Sequence, residues 1–223
     1  MTVNLSIEEF VKTEGLLHQN LFEKKSLGDL LGKNLQDLIE QWLTECGVQD
    51  SPVVEIQIPK QATIKGRVYI AKGATVEPTA YIVGPTYIGP DAEVRHGAYI
   101  RGNCYIGPNS VVGHTTEVKG SIFMDGAKAG HFAYVGDSIL GRDVNLGAGT
   151  KLANLKLRGN EVKLRDKNGN SIASGLRKLG AIIGDEAQTG CNSVLSPGTI
   201  LYPKTGVLPC VHYQGTLING IAK

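Results

Sequence analysis

Hydrophobic positions along this chain follow a beat of six. Ile64, Ile70, Val76, Ile82, Ile88, Val94, Ile100, Ile106, Val112 and Val118 recur without a gap. That interval suits neither an α-helix nor a half-buried strand, whose periods are about 3.6 and 2. It is the period of a hexapeptide β-helix, in which three short flat sides close one coil of about eighteen residues. The aliphatic side chains stack inward, coil upon coil. Glycines follow many of them within two positions (Gly66, Gly84, Gly89, Gly102, Gly107, Gly113, Gly120), where the chain must turn sharply. The pattern predicts an all-β solenoid that begins near Val53.

Two interruptions divide the solenoid. Leu140, Leu146 and Leu152 keep the interval of six but not the earlier phase, so a residue or more is gained or lost between Gly120 and Val135. A register break distorts a wall locally and makes room for a pocket, and His131 is expected inside it. After Leu152 the stretch LKLRGNEVKLRDKNGNSIASGLRKLG loses the hexads. KNGN separates two short alternating runs, which predicts a β-hairpin arm projecting from the coil at about 155–180. The arm is basic (Lys156, Arg158, Lys163, Arg165, Lys167, Arg177, Lys178). Hexads resume with Ile183, Thr189, Leu195 and Leu201.

The first fifty residues read differently. Leu27, Leu30, Leu31, Leu35, Leu38, Ile39, Trp42 and Leu43 fall at helical spacing, predicting an amphipathic helix from Ser26; a shorter helix is predicted around Ile7–Leu17. The apolar stripe needs a surface, and an open coil end, with unpaired strand edges, is the expected one. The division is therefore a helical N-terminal extension over 1–50, a β-helix over 51–202 with its inserted arm, and a C-terminal cap over 203–223.

Composition narrows the function classes. A net charge of only +2 gives no broad attraction to nucleic acid or to an anionic membrane, so neither is an expected partner. Cys46, Cys104, Cys191 and Cys210 lack ligand-like spacing, which fits reduced thiols. The start, MTVNLSIEEFVKTEG, carries three acids and no long apolar run, and no stretch approaches a membrane span. A cytoplasmic location is the expectation.

The most informative stretch is KAGHFAYVGDSILGRDVNLGAGTKLANLK, from Lys128 to Lys156. With EVKGS (Glu117–Ser121), YIRGN (Tyr99–Asn103) and AIIGDEAQTGCNSVLSP (Ala181–Pro197), it resembles the acetyltransferase domain of the bifunctional glucosamine-1-phosphate acetyltransferase/N-acetylglucosamine-1-phosphate uridyltransferase family. The resemblance covers roughly residues 60–200. It implies a left-handed β-helix, although crossover rules alone would favour the right hand. It also implies a homotrimer with sites at subunit boundaries, and acetyl-CoA as co-substrate with no metal. His131 matches the family's catalytic base. A neutral imidazole, with an ordinary pKa of about 6.5, suits proton removal from an attacking amine. Arg101 and Lys119 match its phosphate-binding cations. Tyr134, Asn145 and Asn154 match residues that hold the sugar phosphate. The resemblance thus implies N-acetylation of an amino-sugar 1-phosphate.

Departures accompany the match. Leu155 stands where the family commonly has a tyrosine. The lysine after that corner has no clear equivalent, with Lys156 or Lys163 as replacements. Cys191 stands where the family has a serine beside the acyl donor, and a thiol is the poorer hydrogen-bond donor. There is no glycine-rich nucleotidyltransferase segment, so that activity is expected either to be lost here or to belong to a separate nucleotidyltransferase polypeptide. Three other readings stay open at this level. One is a non-catalytic trimer binding a sugar nucleotide or a protein. Another is acyl transfer to a different sugar such as galactosamine-1-phosphate. The third is a metalloenzyme like the γ-class carbonic anhydrases, because His96 and His114 lie one coil apart and His131 follows.

Overall fold

The computed structural model describes residues 3–223, and its strands begin at Val53–Val54 and end at Ile221–Ala222. They form three parallel sheets of nine, eight and eight strands, the walls of a solenoid of about nine turns, in keeping with a left-handed β-helix. The first wall runs from Val53–Val54 through Val68–Ile70, Thr86–Ile88 and Cys104–Ile106 down to Thr216–Leu217. The second begins at Thr75–Val76, and the third at Thr63–Lys65.

The inward positions of all three walls carry the six-residue beat. Ile82, Ile88, Val94, Ile100, Ile106, Val112 and Val118 are wholly buried in one continuous core. Small residues occupy the buried site two positions before them (Ala80, Ala92, Ala98, Ser110, Thr116). Where these are hydroxyls they are satisfied: Ser110 Oγ donates to the Met124 carbonyl at 2.9 Å, and Thr116 Oγ1 to that of Ala129 at 3.0 Å. A buried hydroxyl left unpaired would be costly. Corners require the left-handed region, which Asp91 (φ 56°), Asn109 (56°) and Asp143 (54°) supply between the first and second walls. These are residue types whose short polar side chains tolerate it.

The phase change has a simple form. Val94 pairs with Val112 eighteen residues on, but Val112 pairs with Ala129 only seventeen on, and Ala129 with Leu146 after another seventeen. The residue is lost at the corner between the third and first walls, where Val118 is followed by inward Phe123 and, one coil later, Val135 by Leu140. The arm is inserted at that same corner, after Leu152. His131 is therefore not inside the break: it ends the regular strand Lys128–His131, opposite His114.

Several expectations about the periphery are corrected. The N-terminal segment does not plug an end of the coil; it lies along the first wall. There the outward positions Tyr69, Tyr87, Tyr105, Ile122, Ile139, Ile182 and Ile200 join Phe10, Phe22, Leu27, Leu35, Ile39 and Leu43 in a second hydrophobic core. Tyr69, Tyr87 and Tyr105 stack with ring centroids 5.4 and 5.2 Å apart. The segment is also less helical than its pattern. Among the described residues a 3₁₀ turn (Ile7–Glu9) and α1 (Gln19–Phe22) are the helical elements of its first part, and a second 3₁₀ turn (Leu27–Leu30) precedes α2 (Gly32–Glu45). Ser26 caps that turn in a capping box with Asp29 rather than the helix, because Leu31 is extended and Gly32 takes φ +56°. Arg67 ties the C-terminal end of α2 to the solenoid, donating to Thr44 Oγ1 at 2.8 Å and the Val48 carbonyl at 2.9 Å and pairing with Glu40. A cation there suits the helix dipole.

The arm does not project. Its hairpin, Lys163–Arg165 against Ser171–Ala173, folds over the lower first wall, where Val162, Leu164 and Leu179 join the second core. Thr216 Oγ1 donates to the Arg165 carbonyl at 2.6 Å. Residues after Pro203 are not a separate cap either: Gly206–Val207, His212–Tyr213, Thr216–Leu217 and Ile221–Ala222 pair in register as a further coil. The first wall is thus covered, while the second and third keep open outer faces. No helix among the described residues is long and apolar enough to cross a membrane.

Candidate functional site

On the outer face of the third wall, the strands Tyr99–Ile100, Glu117–Lys119, Tyr134–Gly136 and Lys151–Leu152 lie side by side. Register places Arg101, Lys119, Gly136 and Ala153 in one column at the wall's edge. Two cations are followed by two residues with little or no side chain. Gly136 is small for a reason. A Cβ there would meet Asn154 Nδ2 at 2.6 Å and the Tyr134 hydroxyl oxygen at 2.7 Å. Tyr134 and Asn154 therefore converge over Gly136.

The shortened corner supplies the rest. Asp137, in the left-handed region at φ 46°, turns its carboxylate onto Lys119, whose Nζ donates to Oδ1 at 2.8 Å. Asn154, itself buried, donates to the other carboxylate oxygen. Arg101 pairs with Glu117 at 2.7 Å, so the four charged groups sum to zero. Burial lifts the Tyr134 phenol above its ordinary pKa, helped by Asp137 and Glu117 and opposed by Lys119 and Arg101. It stays protonated at neutral pH and can donate a hydrogen bond. Asp137, Glu117 and Gly136 were not singled out from the sequence. Asp137 lies within the quoted Y-x-G-D stretch, and its signal was the corner that lacks a residue.

A second column lies at the other edge, between the second and third walls. The residue two after each inward position there is His96, His114, His131, Ala148 and then Cys191. His96 and His114 stack with ring centroids 5.4 Å apart, as their spacing predicts. His131 Nδ1 lies 3.4 Å from His114 Nδ1, which leaves its exposed Nε2 edge for other partners. Phe132, with φ +35° and its ring half exposed, packs toward His114 at 6.0 Å between ring centroids. A bulky residue with positive φ is uncommon and marks a position held by its surroundings. Among the described residues no three His, Cys, Asp or Glu side chains are grouped to hold a metal ion within one copy.

The structure thus gathers Arg101, Lys119, Tyr134 and Asn154 on one wall, with His131 at that wall's opposite edge on the coil of Tyr134. Cys191 stands in the column of His131, two coils below, separated by Ala148. Asn145 is not brought to them: it lies on the second wall, opposite Lys128 and Gln188, and is exposed.

The chain is similar in sequence to several known proteins. The family described as the GMPPB C-terminal domain matches residues 82–170. A bifunctional sugar-1-phosphate nucleotidylyltransferase/acetyltransferase of Sulfurisphaera tokodaii is 46% identical over 99 residues, 44% of this chain and 23% of that protein. A bifunctional protein GlmU of Methanococcus maripaludis is 42% identical over 142 residues, 64% of this chain and 34% of that protein. The chain thus spans a minor part of these relatives. Among solved structures, AntD, an N-acyltransferase from Bacillus cereus in complex with dTDP-4-amino-4,6-dideoxyglucose and coenzyme A, is similar at a TM-score of 0.28 and 17% identity, covering 82% of this chain and 80% of that one. In sequence and in fold, the solenoid is like the acetyltransferase, β-helical domain of the GlmU-like bifunctional proteins.

Proposed function

We propose that this protein transfers an acetyl group from acetyl-CoA to the amine of an amino-sugar 1-phosphate. The observation that carries the reading is the convergence of Tyr134 and Asn154 over Gly136, on the coil of His131 and beside the cations Lys119 and Arg101. The sugar lies over Ala153, beside the side chains that cover Gly136, where the Tyr134 hydroxyl and the Asn154 side chain meet its hydroxyls. The phosphate enters at Lys119 and Arg101, exchanging with the carboxylates of Asp137 and Glu117. The amine attacks the thioester carbonyl; the carbon–nitrogen bond forms, the carbon–sulfur bond breaks, and the coenzyme A thiolate leaves. His131 Nε2 takes the proton the amine sheds and passes it to the departing sulfur. Cys191, in the same column, faces the donor.

Asn145 joins this site only from another copy. With the first wall covered by the N-terminal segment and the arm, the open second and third walls are the faces left for assembly. A ring in which the second wall of one copy meets the third wall of the next places Asn145 opposite Tyr134 of its neighbour, in a closed cyclic trimer.

Release of free thiol from acetyl-CoA, with glucosamine-1-phosphate and galactosamine-1-phosphate as acceptors, tests the proposal. Turnover with at least one sugar, falling about a hundredfold or more in His131→Ala, is expected from the worth of a general base. A second reading, a sugar-phosphate-binding protein without catalysis, draws on one observation: the column of His131 runs down to Cys191, whose thiol is a poor hydrogen-bond donor toward an acyl group. Acceptor binding without thiol release in the wild type would select it.

A further inference from the structure

Below the candidate site the inserted arm leaves a cavity of about 420 Å³. Its lining includes Ala153, Leu155, Lys156, Leu157, Arg158 and Ser196. Two features set it apart from ordinary surface. Among the described residues neither Lys156 nor Arg158 takes part in an ion pair. Lys156 Nζ donates only to the Glu161 carbonyl, at 2.8 Å, and Arg177 adds a third cation against Gly159. The cations are interleaved with apolar side chains left in water: Leu157 is fully exposed and Leu155 is 41% exposed. Large apolar side chains at a basic cavity indicate a ligand that is anionic in one part and flat or apolar in another.

Position narrows the ligand further. Ala153 belongs both to the cavity and to the column Lys119–Gly136–Ala153, so the cavity begins at the foot of that column on the third wall. Ser196 lies on the coil of Cys191, across one wall's width from it. Coils are spaced about 4.8 Å apart, so a reactant with its reacting group at His131 reaches the cavity with its far end after one or two coils. We infer that the arm-base cavity binds the nucleoside diphosphate portion of a reactant, with Lys156 and Arg158 on the phosphates and Leu155 and Leu157 against the nucleoside. This rests on the acyl-transfer reading for which reactant supplies the nucleotide, since coenzyme A and a nucleotide-linked amino sugar share that chemistry.

Titration calorimetry of the full chain with coenzyme A, with UDP and with inorganic pyrophosphate tests it. At least one nucleotide is expected to bind about tenfold or more tighter than pyrophosphate. The double variant Lys156→Ala/Arg158→Ala and, separately, Leu157→Asp are each expected to weaken that binding about tenfold or more. These side chains lie on the surface, and an unchanged melting temperature confirms that the variants fold. Preference for coenzyme A assigns the cavity to the acyl donor; preference for UDP assigns it to a nucleotide-linked acceptor. Nucleotides bound no better than pyrophosphate, or bound equally by the variants, would overturn the inference. Thiol release that depends on His131, alongside unchanged binding in the variants, would remove the cavity's role and leave acyl transfer standing. Nucleotide binding that the variants lose, with no thiol release from any acceptor, would do the reverse.

Discussion

Gly136 and Asp137 show how a missing residue builds a site. The corner that follows them is one residue short, and the turn brings a carboxylate onto Lys119 and Asn154 while the glycine lets Tyr134 and Asn154 close over it. Gly136→Ala places a methyl group against Tyr134 and the buried Asn154, which must give up its bond to Asp137 to make room. The expected result is an acceptor KM raised several-fold or more together with a lowered melting temperature, checked by steady-state thiol release and a thermal scan. Asp137→Ala removes the partner of two groups at once. Its expected cost is about 1–3 kcal/mol, read from the midpoint of urea unfolding. His131, Tyr134, Lys119 and Arg101 were legible in the sequence because a specific motif carries them. Asp137 stood in the same motif unnoticed, since its contacts depend on a corner geometry that linear spacing does not display. The placement of His131 inside the register break failed for the same reason: the slip lies in the corner, and the strand that holds the histidine is regular.

Among the elements, the solenoid was readable from one column and its covering was not. The inward beat of six announced the coils. The outward column Tyr69, Tyr87, Tyr105, Ile122, Ile139, Ile182 and Ile200 was equally periodic, and it marks the wall that the N-terminal segment and the arm cover. Once that column is seen, an end cap is no longer needed to satisfy the helical stripe, and a freely projecting arm would leave Val162 and Leu164 bare. Tyr87, in the middle of the stacked tyrosines and almost wholly buried, should cost about 3 kcal/mol when replaced by alanine, by analogy with other large aromatics. His18 provides a test specific to the segment. It sits among Tyr87, Tyr105 and Trp42, with Nδ1 2.7 Å from the Tyr105 hydroxyl oxygen, and burial lowers its pKa. A released segment carries a histidine of ordinary pKa, about 6.5, which takes up a proton that the docked one resists. Docking therefore weakens as pH falls below that value and is indifferent to pH above it. Trp42, the chain's only tryptophan, reports the change: its emission should shift toward that of exposed indole in mild urea at pH 5.5 more readily than at pH 7.5. In His18→Gln the difference should shrink.

For the whole molecule the decisive feature is the division of the candidate site between two walls. Tyr134, Lys119 and Asn154 lie together on the third wall, His131 stands at that wall's other edge, and Asn145 faces outward on the second wall. Nothing in the linear order of the motif reveals that division, because successive hexads alternate walls while remaining neighbours in sequence. Under the proposed reading a single copy is incomplete, and a closed ring of copies would supply the asparagine. The most direct measurement mixes two separately inactive variants, His131→Ala and Asn145→Ala, unfolds and refolds them together, and follows thiol release with the best acceptor. In a ring each site draws His131 from one copy and Asn145 from its neighbour, so random mixing restores about a quarter of the sites. A mixture that regains on the order of a quarter of the wild-type rate is the expected result. A mixture no faster than the two variants refolded apart would contradict an acyl-transfer site completed between copies.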